Sequence, residues 1–511
     1  MSTPPPPETV VKNRLLGFLI WQSIPSTLAF LFTKTLLSIS TPYFSPPSFL
    51  SLLSFSAFHL SLLLFSASLS AISSPAPFSP LSLLPRRRLL TFLRFAAFVA
   101  CSALSGFLAV VAACGYGGAQ GVGRFAFRGF LMGFVFGLFY VCMQRWVLEF
   151  PIIQRPPYFS FKMGVPLAVK RALKLSSAAF FVSGLLLLFL PEQLRSRGTV
   201  GQFITEQIIL FIGSFSTFFC WELNHHLHQV LHTKRFAFAP PKGSAAAETN
   251  PSEPLLAALE ESPPYSLPQC LAYLDLCMVC ENNVDTWRRA AFFEETGETY
   301  KRVVTVCLRP LENVAAKLAE GLEGFSSEKD YQLSRQLLSP TDLQMESKYY
   351  ESLNNFQLLA WCARAVSSLT ARSHEEDRFG IAQLTGSNAS VVSTLLSCLL
   401  AVETFMGKKT NLPPQHQLMG PAGIKWATPN TGRRDVTIKR RGGPQHAKAY
   451  AMADVLRTSV YGIVSAFHNE MLSSAKAGLL EKDWIVKSKP IFGTHELLVQ
   501  KLRLFLDFRA C

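Results

Sequence analysis

The residue types best able to do chemistry cluster between Glu222 and His232, where His225, His226, His228 and His232 stand among leucines. On a helix His225, His228 and His232 share one face, while Leu223, Leu227 and Val230 take the other. His228 and His232 have the i, i+4 spacing that grips a metal. A di-iron membrane enzyme needs several such boxes, and the ten histidines of the chain form no second cluster. The pattern therefore predicts an amphipathic helix in the headgroup region, imidazoles toward water and leucines toward lipid, with metal binding as the alternative. Cys277 and Cys280 form a CxxC inside an apolar helix without a second ligand pair, which does not make a zinc site. His374-Glu375-Glu376-Asp377 offers acids beside a histidine, yet three adjacent acids between two helices predict a helix start, where carboxylates meet orphan amides. Gly121, Gly123 and Ala126 spell GxGxxA, but no strand precedes them and no acid follows at the ribose distance. No nucleophile elbow, phosphate loop or complete metal set occurs, so the expectation is a protein without catalysis or cofactor.

What positions these residues is membrane-like. Of the 511 residues 49% are hydrophobic and only 16% charged, against about a quarter charged in soluble domains. The net charge of +15 divides unevenly: residues 1–240 hold 19 Lys and Arg against five Glu and no Asp, and the remainder holds 30 against 29. Basic residues placed between long apolar runs orient a polytopic membrane protein; a nucleic-acid surface would concentrate them in a polar domain. Direct nucleic-acid binding is not expected.

Six runs reach the roughly 20 apolar residues that a bilayer requires. They are Leu15–Ser40, Phe49–Ile72, Leu89–Ala113, Gly129–Leu148, Ala172–Leu190 and Phe203–Leu223. Fourteen Lys and Arg near their ends fall on the N-terminal side, and only Arg124, Arg128, Arg195 and Arg197 fall opposite. Both termini and everything after residue 240 are thereby predicted on the cytosolic or nucleoplasmic side, with three short lumenal loops. The first run is an anchor rather than a cleaved signal, being too long and lacking a small-residue cleavage site. Eleven scattered cysteines suit a reducing compartment, and the sequon at Asn388 is expected to stay unmodified.

Gly129, Gly133 and Gly137 put three positions without side chains on one stripe of the fourth span, a helix-packing device. Gly115–Gly123 is predicted as a flexible lumenal turn. Lys34 and Glu206 are the only charges read as lying well inside a span, near lumenal ends where long side chains snorkel. With no repeat visible, a transporter is disfavoured.

The predicted organisation is all-α: a Pro-rich tail 1–14, six transmembrane helices with a juxtamembrane amphipathic helix over 15–240, a linker over 241–265, and a cytosolic or nucleoplasmic helical domain over 266–406. A basic loop follows at 407–445, with Arg433, Arg434, Lys439, Arg440 and Arg441, and then C-terminal helices of the same domain at 446–511. Helices are predicted over Ser266–Arg289, Ser347–Arg372, Ser387–Met406, His446–Ala477 and Glu496–Phe508. In the last of these, Leu498, Leu502 and Phe505 form the docking face.

Several segments carry a family likeness. Arg14 with Trp21 opens the first span; Phe150 through Arg155 and Ala172 through Ser176 surround the fifth; Trp221 closes the sixth, with Phe236 after it. Further on stand Leu274-Asp275-Leu276, Arg288-Arg289 before Phe292-Phe293, and the block Trp361, Ala365, Ser367-Ser368-Leu369 and Ser373 through Gly380. Together they resemble the nuclear-division-cycle (Ndc) transmembrane nucleoporins, in a plant version. The resemblance implies a structural, non-enzymatic anchor of the nuclear pore complex in the pore membrane, supporting pore assembly. It implies partners among scaffold nucleoporins, the ALADIN propeller and a membrane-binding nucleoporin with an RRM-like domain, besides the nuclear-envelope bilayer. Within the block, Trp361, Glu376, Asp377, Arg378 and Phe379 are the docking residues it suggests. A multispan ER enzyme using His225, His228 and His232 with a metal, or a transporter, are the other classes weighed.

Overall fold

The computed structural model describes residues 7–40, 49–77, 85–114, 118–187, 200–241, 243–327, 353–410 and 444–510, and these are almost entirely helical. The chain divides into two compact units, residues 1–236 with 262–271, and residues 237–261 with 272–511.

The first unit holds α1 (Pro7–Ser40), α2 (Phe49–Ile72), α3 (Pro85–Cys114), α4 (Gly118–Cys142), α5 (Pro157–Leu187) and α6 (Val200–Thr233). Sequential helices pack side by side, and α1 returns to α6. Its interior is aromatic: Phe65, Phe98, Phe136, Tyr140, Phe218 and Trp221 are buried among the helices, with Phe65 stacked on Trp221 at 5.3 Å between centroids. Its exterior is apolar as well. Leu16, Ile20, Leu28 and Phe32 on α1, Phe92 and Leu93 on α3, and Phe181 and Leu185 on α5 are exposed. Such belts are costly in water and fit a lipid surround. The serines of α2 return their hydroxyls to the helix backbone, Ser61 to Phe58 O, Ser70 to Ser66 O and Ser73 to Leu69 O.

Six described helices are long and apolar enough to cross a membrane, and five of them overlap the first four and the sixth of the runs named above. Ser387–Gly407 is the other, and α5 is not among the six. Helix α5 begins fifteen residues before Ala172 and carries Lys162, Lys170, Arg171 and Lys174, while its apolar run continues to Leu190, past the described residues. Ser387–Gly407 has 72% of its apolar window buried within its own unit, against 22–50% for the other five. A helix apolar all round and buried by protein is a core helix. Helix α4 also begins earlier than expected: Gly118 through Gly123 are helical rather than a turn, and 115–117 lie outside the described residues.

Residues 241–265, expected as a linker, hold two short helices. They carry α7 (Ala245–Thr249), capped by the Ser244 hydroxyl, and α8 (Glu253–Glu261), whose Leu255, Leu256 and Leu259 are buried. Then come α9 (Leu267–Glu281), α10 (Thr286–Ala290), α11 (Glu298–Ser327), α12 (Phe356–Glu376), α13 (Ile381–Leu384), α14 (Ser387–Thr410), α15 (Pro444–Ala466), α16 (His468–Lys476), α17 (Leu480–Trp484) and α18 (His495–Ala510). The expected helix Ser266–Arg289 is broken after Glu281, and His446–Ala477 is two helices. Helices α11, α12, α14 and α15 pack together as the core. Leu498 and Leu502 of α18 are buried, as their stripe predicts, and Phe505 is half-buried. The basic cluster at 433–441 and residues 347–352 lie outside the described residues. Asn388 of the sequon is buried, with its side-chain oxygen accepting from the Tyr300 hydroxyl at 3.0 Å, which leaves no room for a glycan.

Candidate functional site

The residues with chemical potential in the first unit gather at the C-terminal end of α6. That end is held by neighbours reaching in from distant sequence. Arg14 of α1 donates from Nη1 to Leu231 O at 2.9 Å and His232 O at 2.7 Å, and from Nη2 to Lys234 O at 2.6 Å. These are carbonyls that the end of a helix leaves without a partner, so one guanidinium serves as the C-cap. Gln229 donates to Val147 O and accepts from Glu149 N, and Gln154 accepts from Arg235 N.

About two turns deeper, Glu222 is 1% exposed and forms a two-pronged pair with Arg145, at 2.6 and 2.7 Å. Arg145 follows Gln144, which turns the chain out of α4 with φ 52°. The Tyr140 hydroxyl bonds both Arg145 O at 3.1 Å and His225 Nδ1 at 2.8 Å. It has one hydrogen, and a carbonyl only accepts, so His225 Nδ1 must carry its proton. An acid, an arginine, a tyrosine and a histidine thus form one closed network between α4 and α6.

This arrangement corrects the expected orientation of the histidine stripe. His225 faces Tyr140, whereas His228 and His232 stack on each other at 3.9 Å and meet the edge of Phe18 on α1. His228 and His232 are buried, as are Leu223 and Leu227. The imidazoles face protein rather than water, because α6 is covered on all sides at this depth. His232 Nδ1 bonds its own helix at His228 O, and His226 Nε2 meets Ser160 O. Among the described residues no group of three His, Cys, Asp or Glu is placed to hold a metal, so His225, His228 and His232 do not converge on one point.

The glycine stripe faces α3. A Cβ at Gly129 would lie 2.6 Å from Gly106 O, one at Gly133 would collide with Ser102 O, and one at Gly137 would lie 3.1 Å from Val99 Cα. Rising numbers on α4 meet falling numbers on α3, so the two helices run antiparallel with their backbones touching. Gly133→Ala is expected to destabilise the unit by about 1–3 kcal/mol, since backbone must move to admit the methyl. Thermal unfolding in detergent checks this against Gly123→Ala, whose Cβ meets nothing within 4 Å.

Glu206, expected to reach toward water, instead pairs with Arg124 of α4 at 2.7 Å. Arg128 beside it is buried, its Nη1 on Gln207 and its Nη2 on Phe180 O at 3.2 Å. Lys34 lies over the Phe30 ring.

In the second unit two adjacent arginines organise the fold. Arg288 holds Asp275 at 2.7 Å and Phe238 O at 3.1 Å, and Phe238 N donates back to Asp275 at 2.9 Å. Arg289 holds Glu376 through two bonds of 2.8 and 2.6 Å and reaches Asn282 O. The acids at 375–377 are therefore not a helix start: Glu375 and Glu376 end α12, where Arg289 offsets their unfavourable position at a helix C-terminus. Only Asp377 caps a helix start, accepting from Phe379 N and from Ala382 N at the opening of α13. Of the suggested docking residues, Trp361 is buried and Glu376 and Asp377 are engaged internally, while Arg378 and Phe379 are exposed. Cys277 and Cys280 are buried in α9, and burial, aided for Cys280 by the neighbouring Cys307, pushes both thiols well above their usual range. They are packing residues, not poised thiolates.

A family model described as nucleoporin protein Ndc1-Nup matches the chain over residues 124–348 and 340–473. No curated protein matches it.

Proposed function

Because the chain belongs to the Ndc1-Nup nucleoporin family, an integral constituent of the pore membrane of the nuclear envelope, we propose that it anchors the pore scaffold to that membrane and supports pore assembly without catalysing a reaction. The observation that carries this reading is the division of labour between the units. The first presents apolar belts outward and closes its polar groups inward, as a membrane domain must. The second buries its apolar helices, α14 above all, and presents polar and isolated apolar residues, as a docking domain does. With α5 as the sixth span both termini lie on one side, which the loop charges assign to the cytosol and pore. Scaffold nucleoporins, the ALADIN propeller and the membrane-binding RRM-like nucleoporin among them, are the partners this reading assigns to the second unit, with Arg378 and Phe379 on its exposed surface.

A C-terminal fluorescent tag is expected at the nuclear rim in puncta; a uniform ER signal would count against anchoring at pores. Protease added to sealed microsomes is expected to remove the second unit. Protection of that unit would reverse the assigned sides.

A further inference from the structure

At the end of the first unit where α2 stops and α3 starts, a cleft of about 270 Å³ opens between Ser73, Ser74, Arg94 and Phe95 on one side and Tyr265 and Ser266 on the other. We propose that this cleft binds the phosphate of an anionic glycerophospholipid.

The lining supplies hydrogen-bond donors and one positive charge, and no Asp or Glu is part of it. Arg94 is exposed and makes no ion pair among the described residues. Its fork matches the geometry of a phosphate. Ser74 Oγ accepts from Ala76 N, and Ser266 Oγ accepts from Gln269 N, so each hydroxyl keeps its own hydrogen to donate. Tyr265, half exposed and held at φ 60°, is fixed by the hydrogen bond that its backbone N–H donates to Gln269 Oε1 at 2.8 Å. A set of donors with one positive charge and no carboxylate suits an anion and gives the choline of a zwitterionic lipid no counter-charge.

The surroundings decide between a lipid and a soluble phosphate. Deeper along α3 than Arg94, on the same side of the helix, Ala97, Ala100, Leu104 and Phe107 are exposed and would lie along acyl chains. Arg86, Arg87 and Arg88 precede this stretch in the sequence, which sets Arg94 toward the headgroup side of the span. An arginine at that level, with an apolar belt beside it, meets a phosphodiester whose tails run down the belt.

This inference rests on the membrane reading above, and the test separates the two. The full chain is reconstituted in phosphatidylcholine nanodiscs doped with a small fraction of phosphatidylinositol, and protein-bound lipid is measured by native mass spectrometry. Wild type is expected to retain phosphatidylinositol over phosphatidylcholine, and Arg94→Gln to lose about tenfold of that preference, as one charge-assisted contact is worth. Arg94→Lys should restore part of it, and Ser74→Ala with Ser266→Ala should weaken retention while leaving Arg94 in place. Equal retention by wild type and Arg94→Gln would overturn the inference. So would displacement of the lipid by inorganic phosphate alone, which would assign the cleft to a soluble anion. A chain that stays outside the nanodisc overturns the membrane reading, and this inference with it.

Discussion

Replacing Arg145 by methionine is expected to cost the membrane unit about 3–5 kcal/mol, because the Glu222 carboxylate would stay buried with no counter-charge. The loss should exceed that of any surface charge, since both oxygens of Glu222 are taken by Arg145 and the acid is almost sealed from solvent. It should also loosen Tyr140, whose hydroxyl bonds the Arg145 carbonyl, and through it His225. Removing both charges together, as Arg145→Met with Glu222→Met, should return most of the stability, since apolar replacement of a buried pair is near neutral. Unfolding of the purified chain in mixed micelles, followed by the fluorescence of tryptophans, including the neighbouring Trp221, reads this out. A double variant as unstable as the single would show that the loss came from packing rather than from an isolated charge.

The second large effect belongs to Arg288. Arg288→Met is expected to destabilise the second unit by about 3–5 kcal/mol, leaving the fully buried Asp275 charged and Phe238 O without its donor. Asp275→Asn is expected to be milder, at about 1–3 kcal/mol, because an amide oxygen still accepts from Phe238 N. Hydrogen exchange on the full chain distinguishes them. Protection of Phe238 N should fall far more in Arg288→Met than in Asp275→Asn, and equal protection in both would contradict the account. Arg289 is less sensitive by comparison, since Glu376 keeps partial access to water and a second neighbour in Arg372.

Much of the membrane unit was legible because the length of an apolar run is a one-dimensional quantity. The glycine stripe at 129, 133 and 137 could be read for the same reason, as a helical period written in one residue type. What could not be read is pairing across helices. Glu222 stood at the edge of the sixth run and looked interfacial, because nothing near it in sequence announces Arg145, 77 residues earlier. Glycines 118–123 suggested a turn on local propensity, yet α4 extends through them, with Arg124 and Arg128 then reaching Glu206 and Gln207. Helix α8 was lost under the Pro and Ala of its surroundings, although Leu255, Leu256 and Leu259 already gave one apolar face. Helix α11 falls outside the predicted helices, although its buried stripe of Val303, Val304, Cys307, Leu311 and Leu318 has helical spacing. The histidine stripe misled for the opposite reason. Its spacing was real, but amphipathic contrast means nothing on a helix that protein covers on every side.

The cap that Arg14 places on α6 also bears on the order of synthesis. Its three carbonyl partners lie 217 to 220 residues downstream, at the last turn and exit of the final helix of the unit. While the chain is being made, α1 therefore waits beside an open seam through the insertion of four further helices. The C-terminal cap of α6 is completed only when residues 231–234 have been made and have left the ribosome. A ribosome stalled anywhere before that point leaves Arg14 without the three carbonyls it closes on.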